Sequence, residues 1–232
     1  MRGLVLIPAR AGSKGIRHKN MVAVHKRPLI AYSIEPAVRL KNAGIVDEVV
    51  VSTDGEEIGR ISARLGADVP FIRPKRFAGD KAKSIDVVLH ALDYLERVGR
   101  RFDYVVLLQP TSPLRHYRDI RNAVALYVAN KADSLISAYR DSAVNETKLY
   151  YRRGVVGVPL LPGHNAGTRR QDLEDVFIRN GAIFITSTDY LRARRRIVSD
   201  APLIFEMPKE RSLEVDTPAD LAAVRRTLRA SP

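Results

Sequence analysis

The chain has 232 residues, no cysteine, no tryptophan and a formal net charge of +13 at pH 7. The lack of cysteine excludes disulfides, thiol catalysis and cysteine-based zinc sites together, and a chain of this length buries roughly 70% of its extended surface without such staples. The excess of cations attracts nucleotides, nucleic acid and acidic sugars alike and does not choose among them.

The elements alternate along the chain. Leu4-Val5-Leu6-Ile7 reads as a first strand. Pro8 and Arg10 break the apolar run, so neither a signal peptide nor a membrane span is expected, and a cytoplasmic protein is. Residues 7–20, IPARAGSKGIRHKN, follow with two glycines, a serine and the cations Arg10, Lys14, Arg17 and Lys19. Gly12 and Gly15 let the backbone approach a ligand closely or adopt φ > 0. Backbone N–H groups in such a loop cradle phosphate oxygens while Lys and Arg neutralise them. A solvated basic turn has the same composition, and the pattern is not a Walker A loop, because no Lys-Ser or Lys-Thr follows the second glycine.

Pro28 to Gly44 reads as a helix opened by proline and kinked at Pro36. Glu48 to Ser52 is a β-branched run and a second strand. Behind Asp54, residues 55–66 form a helix with Glu56 and Glu57 in its first turn, as the helix dipole prefers. Asp68 to Ile72 is a short third strand. Ser84 is placed to cap the next helix, where Val87, Val88, Ala91, Leu92 and Leu95 recur at helical spacing. Asp103 to Gln109 is apolar without alternation, as a strand buried on both faces requires. A helix from about Arg118 to Asn130 and a strand from about Ser134 to Tyr139 follow.

From Ser142 to Asp172 the periodicity fails, and turns at Arg153-Gly154 and Pro162-Gly163 mark a β-rich excursion. Gly181 to Thr186 is again strand-like, and Thr217-Pro218-Ala219-Asp220 caps a last helix running toward Arg229. The pattern predicts an α/β, three-layer, doubly wound fold with a mainly parallel sheet. It forms one domain over residues 1–232, and the excursion, 142–172, lies within it.

Three further stretches share the chemistry of the first loop. Gln109-Pro110-Thr111-Ser112-Pro113-Leu114-Arg115 lies at the C-terminal end of a central strand, hence on the same sheet edge. Thr168-Arg169-Arg170-Gln171-Asp172, followed by Asn180-Gly181-Ala182-Ile183-Phe184, offers paired arginines suited to bidentate binding of carboxylate or phosphate. In Glu214-Val215-Asp216, strand alternation puts both carboxylates on one side, where oxygen ligands suit Mg²⁺. Each stretch alone is equally a proline-fixed turn, an exposed basic turn or a helix cap.

Taken in order, IPARAGSKGIRHKN, VVVSTDG, RPKRFAGDKAKS, LLQPTSPLR, RRQDL, NGAIFIT and SLEVDTPADL resemble the acylneuraminate cytidylyltransferases, or CMP-sialic acid synthetases, a family that includes enzymes for other nonulosonic acids. The resemblance spans almost the whole chain apart from the excursion. It implies a Rossmann-like nucleotidyltransferase fold and transfer of CMP from CTP to the anomeric hydroxyl of a nine-carbon keto sugar acid, with release of pyrophosphate. It makes Arg10 and Lys19 phosphate ligands, with Lys14 in the same turn, and Ala9, Ala11, Gly12 and Ser13 part of the nucleotide cradle. Asn20, Arg73 and Ser84 lie toward the nucleotide, and Gln109, Arg170, Asn180 and Phe184 toward the sugar acid. Glu214 and Asp216 become the acidic pair for Mg²⁺ or Mn²⁺. The family has aspartate where Glu214 stands, proline at Glu174, and commonly tyrosine at Phe177 and Phe184.

The expected reaction sets an anionic acceptor against the anionic triphosphate, so Arg10, Lys19 and a metal ion must offset the repulsion. Asp216 or a metal-bound hydroxide takes the acceptor proton; His18 reads as a surface residue. The alternatives are the same chemistry on legionaminic, pseudaminic or 3-deoxy-octulosonic acid, a basic nucleic-acid-binding protein suggested by Arg192 to Arg196, and an inactive relative. No nucleic-acid or membrane partner is expected. The apolar residues Leu149, Val155, Val156, Val158, Leu160 and Leu161 predict that the excursion is covered in a homodimer.

Overall fold

A computed structural model describes residues 1–142, 144, 148–160 and 174–230. Its centre is a six-stranded sheet in the order β10-β6-β9-β5-β1-β4. The strands are β1 (Gly3–Pro8), β4 (Glu48–Ser52), β5 (Tyr104–Leu107), β6 (Ser134–Arg140), β9 (Phe177–Ser187) and β10 (Leu203–Glu206). β1 pairs in parallel with β4 and β5, and β10 with β6, while β9 runs antiparallel between β5 and β6. The sheet is therefore mainly parallel with one reversed strand, as expected of a mixed doubly wound fold.

Two layers of helices cover it. Alternate residues of β1 and β4, such as Val5, Ile7, Val49 and Val51, pack under α1 (Ala31–Asn42), α2 (Glu56–Arg64) and α4 (Tyr117–Asn130). Leu4, Leu6 and Val50 face α3 (Ser84–Arg97) and α5 (Thr188–Arg194) on the other side. A third apolar cluster joins Val24, Leu29, Leu114 and Val215 to Leu221 and Val224 of α6 (Pro218–Ala230). This cluster holds the last helix against the hairpin of β2 (Ala23–Val24) and β3 (Arg27–Pro28) and against the turn after β5.

Several boundaries differ from expectation. Pro28 lies in β3, not in the helix, which begins at Ala31; Pro36 sits inside α1. Asp68 to Ile72 is joined to β4 only by isolated parallel bridges at Asp68 and Ile72. Ser84 is the first residue of α3, and Lys83 occupies the cap position without a side-chain bond. The last helix begins as expected: Asp220 accepts from the Thr217 N–H at 2.8 Å, and Pro218 takes the first helical position. Within the excursion, β7 (Tyr150–Arg153) and β8 (Val156–Pro159) form an exposed hairpin about Gly154, whose φ of 63° a glycine accepts without strain. The turn expected at Pro162-Gly163 lies outside the described residues. The basic run at Arg192 is tied down, since Arg192 bonds Asp93 and Glu96, and Arg195 bonds Asp86, all on α3.

Candidate active site

The chain passes from β1 out to β4 and then returns to β5 on the opposite side of β1, so the carboxyl ends of β1 and β5 flank a topological switch point, where open α/β sheets bind ligands. The first loop starts there. Ala9 donates to Ser52 O at 2.9 Å, extending the sheet by one residue. Asp54 then accepts from the Ala11 N–H at 2.8 Å, and buried Asn20 donates its amide to Arg10 O at 2.9 Å. The loop is thus pinned at both ends.

The two glycines act differently from expectation. Neither has positive φ. A Cβ on Gly12 would meet open space, whereas one on Gly15 would collide with the Asp216 carbonyl. Gly15 therefore allows the first loop to lie against the acidic segment near the other end of the chain. Lys19 completes that join, donating from Nζ to Asp216 Oδ1 at 2.9 Å. Val215 is fully buried and donates to Thr111 O at 2.7 Å, so the turn after β5 backs the same segment. Residues 214–216 are not a strand, but burial of Val215 still leaves Glu214 and Asp216 exposed on the same segment.

The resulting cleft, about 280 Å³, is lined by the expected residues Arg10, Ser13, Lys19, Asn20, Arg73, Ser84 and Gln109. Phe77, Asp80 and Thr111 also line it, none of them foreseen from the sequence as site residues. Asp80 accepts from Arg10 Nη1 at 2.6 Å and from Lys14 Nζ at 2.9 Å, and these bonds hold its carboxyl below the usual range. The only sequence cue to Asp80 was its place in RPKRFAGDKAKS. Arg73 is 3% exposed and keeps Nε and Nη2 without hydrogen-bond partners, 3.8 Å from Asp54 at the nearest. Burial depresses its pKa, partly offset by Asp54. A buried guanidinium with unspent donors calls for an acceptor from a ligand.

Glu214 retains exposure to solvent, but its carboxyl lies against Gly181, where a Cβ would overlap Oε1. Burial of that carboxyl, with the charge of Asp216 added, raises its pKa; Lys19 and Arg179 oppose the rise. No group of three or more metal-binding side chains occurs among the described residues. Two coupled carboxylates beside a phosphate-type loop nonetheless match the usual Mg²⁺ arrangement of one or two carboxylates completed by substrate oxygens and water.

Other expected residues are engaged elsewhere. Asn180 is buried, and its amide bonds Ser212 Oγ at 2.8 Å while its carbonyl oxygen accepts from Ser137 Oγ at 2.6 Å, so it braces the core. Phe184 packs against the core beneath α3. His18 is exposed, as expected. Arg170 lies outside the described residues. Arg115 does not project into the cleft: it is 2% exposed and bonds Ala182 O and Ser33 Oγ, both at 2.6 Å, clamping α1 and β9 to the turn after β5.

An open α/β sheet presenting a basic loop, an acidic segment and an unsatisfied buried arginine at its carboxyl edge defines a nucleotide-binding enzyme of Rossmann-like architecture. The chain belongs to the cytidylyltransferase family, whose sequence profile matches residues 4–158, and it is a nucleotidyltransferase. It is 31% identical to the pseudaminic acid cytidylyltransferase of Campylobacter jejuni (strain 81-176) over 95% of this chain and 94% of that protein. It is 32% identical to the N-acylneuraminate cytidylyltransferase of Escherichia coli O18:K1:H7 over 94% of this chain and 50% of that one. It is 31% identical to the CMP-N,N'-diacetyllegionaminic acid synthase of Legionella pneumophila over 98% and 97% of the two chains. The structure of a CMP:2-keto-3-deoxy-manno-octonic acid synthetase complexed with CTP shares the fold, with a TM-score of 0.69 at 19% identity over the whole of both chains.

Proposed function

We propose that this enzyme transfers CMP from CTP to the anomeric hydroxyl of a nonulosonic acid, N-acylneuraminate or a relative, and releases pyrophosphate. The observation that supports the reading is the 2.9 Å Lys19–Asp216 bond, which ties the acidic segment to a cation that lines the cleft, 197 residues away in sequence. The relatives act on pseudaminic, N-acylneuraminic and legionaminic acids at 31–32% identity, which supports the acceptor class without ranking its members.

Arg10 and Lys19, with Lys14 and the loop N–H groups, receive the β- and γ-phosphates, and the unused N–H groups of Arg73 receive an acceptor of the nucleoside. Gln109 faces the cleft and orients the sugar acid, with Arg170. Glu214 and Asp216 would hold Mg²⁺ or Mn²⁺, which when bound supplies charge neutralisation at the phosphates. The acceptor oxygen attacks the α-phosphorus, the bond to the bridging α–β oxygen breaks, and pyrophosphate leaves toward Arg10 and Lys19. The acceptor proton passes to the Asp216 carboxylate oxygen that does not bond Lys19. Holding these charges before the reaction begins spares reorganisation in the transition state.

The enzyme works as a cytoplasmic homodimer, with the excursion covered by a second copy; no helix among the described residues is long and apolar enough to cross a membrane. Pyrophosphate release from CTP, measured against N-acetylneuraminic, pseudaminic, legionaminic and 3-deoxy-octulosonic acids, tests the reading. Turnover with at least one nine-carbon acid is expected. Turnover with 3-deoxy-octulosonic acid alone replaces the nine-carbon acceptor with an eight-carbon one, and none with any of the four overturns the reading.

A further inference from the structure

Behind the turn that ends in Arg115 the surface opens into a second hollow of about 720 Å³, larger than the cleft. It lies between α1, the first turns of α4 and Leu228 of α6, and Arg27, Arg39, Arg115, Arg118 and Arg121 line it against one acid, Glu35. Glu35 is already taken by Arg27 at 2.8 Å. Arg39 stacks on the Tyr117 ring, 4.2 Å from its centroid. Arg118 and Arg121 have no carboxylate partner among the described residues; Arg121 bonds only the neutral Asn122 amide.

Two observations set these cations apart from an ordinary basic surface. Arg118 and Arg121 stand in the first turns of the fourteen-residue α4, the end of a helix that favours anions and disfavours cations. The acid in that turn, Asp119, is spent on Arg211, which bonds both of its oxygens. Beneath them Arg115 is 2% exposed, bonded to two carbonyls and a hydroxyl but to no carboxylate, with its Nε unpaired. A buried charge without a bonded counter-charge is costly, and burial, opposed only in part by the charge of nearby Asp119, pulls this guanidinium down to about 9. The walls include Tyr32, Tyr117, Pro36 and Leu114, which suit a flat apolar body.

From this juxtaposition we infer that the hollow is a second ligand site, separate from the cleft, for a small phosphate monoester with a flat apolar body. A phosphate dianion answers Arg118 and Arg121 together, through the paired N–H groups that guanidinium offers, and adds negative charge near Arg115, which bonds no carboxylate. A monocarboxylate leaves part of that charge unanswered. Arg115 also donates to Gln109 O at 3.3 Å, so the floor of the hollow and the wall of the cleft share one turn.

The test is calorimetric titration of phenyl phosphate into the full chain carrying Arg10→Ala, Lys14→Ala and Lys19→Ala, which takes away the cations proposed to bind phosphate at the cleft. Binding is expected there, and adding Arg118→Ala and Arg121→Ala weakens it about tenfold or more, as the loss of charged hydrogen bonds predicts. Benzoate, with the same ring and one negative charge, binds more weakly. No binding at millimolar phenyl phosphate, binding that survives the second pair of substitutions, or equal binding of benzoate overturns the assignment. Both arginines are exposed, so the fold tolerates their loss; a crystal soaked with phenyl phosphate gives an independent reading, with the ligand between Arg118 and Arg121 expected and an empty hollow contradicting it.

Discussion

Arg10 and Lys14 share the two oxygens of Asp80, which present to them the charge and spread of a phosphate edge. In the proposed binding mode CTP displaces that carboxylate to reach the same nitrogens, and Asp80 competes with the triphosphate for them. Asp80→Asn is expected to lower the KM for CTP by up to about fivefold, the scale of an exposed ion pair, and the gain shrinks as salt screens the pair. A raised KM in steady-state kinetics contradicts this account. Glu214 makes the opposite trade between stability and function. Its pKa is raised in the folded state, so the folded protein binds this proton more tightly than the unfolded chain. The associated stability is present below the unfolded pKa, about 4.3, and is lost as pH rises through the folded value. Glu214→Gln is therefore expected to raise the Tm at pH 7 without divalent metal, to converge with wild type in acid, and to lower turnover. A lowered Tm at pH 7 contradicts the assignment.

At the scale of elements, the sequence exposed what local chemistry determines. Glu48–Ser52 is the strand that its β-branched run predicts, and Thr217 to Asp220 cap the helix that their pattern predicts. Periodicity does not carry strand direction, so the reversal of β9 between two parallel neighbours was not legible. α5, with seven mostly polar residues, and β10, with four, are too short for a periodic signal and went unread. Pro28 suited a helix start equally well, and the hairpin preceding α1 claimed it. Among the described residues the β7–β8 hairpin forms a two-stranded sheet of its own and leaves Tyr151 57% and Val156 60% exposed. Apolar exposure of this kind marks an interaction surface. On the proposed dimer, Val156→Glu is expected to give a monomer in light scattering, with unchanged secondary structure, where the parent chain is a dimer; a monomeric parent overturns the proposal. An unchanged dimer places the interface elsewhere.

Across the whole molecule, the members of the cleft were legible but their pairing was not. The cations of residues 7–20 and the acids of 214–216 stand out by composition, yet Arg10–Asp80 and Lys19–Asp216 join residues 70 and 197 apart, and only the fold brings them together. The same folding buries Asn180 and Arg115. Both are polar residues in site-like motifs that the core uses for its own hydrogen bonds, a role that depends on burial. In the proposed reaction the cleft directs attack to the α-phosphorus of CTP. This is tested by incubating the enzyme and Mg²⁺ with a nonulosonic acid that it turns over and with CTP radiolabelled at either the α- or the γ-phosphate. The account predicts that the α-label appears in the sugar-acid product and the γ-label in pyrophosphate; γ-label on the sugar acid, or α-label retained in CDP, would contradict it.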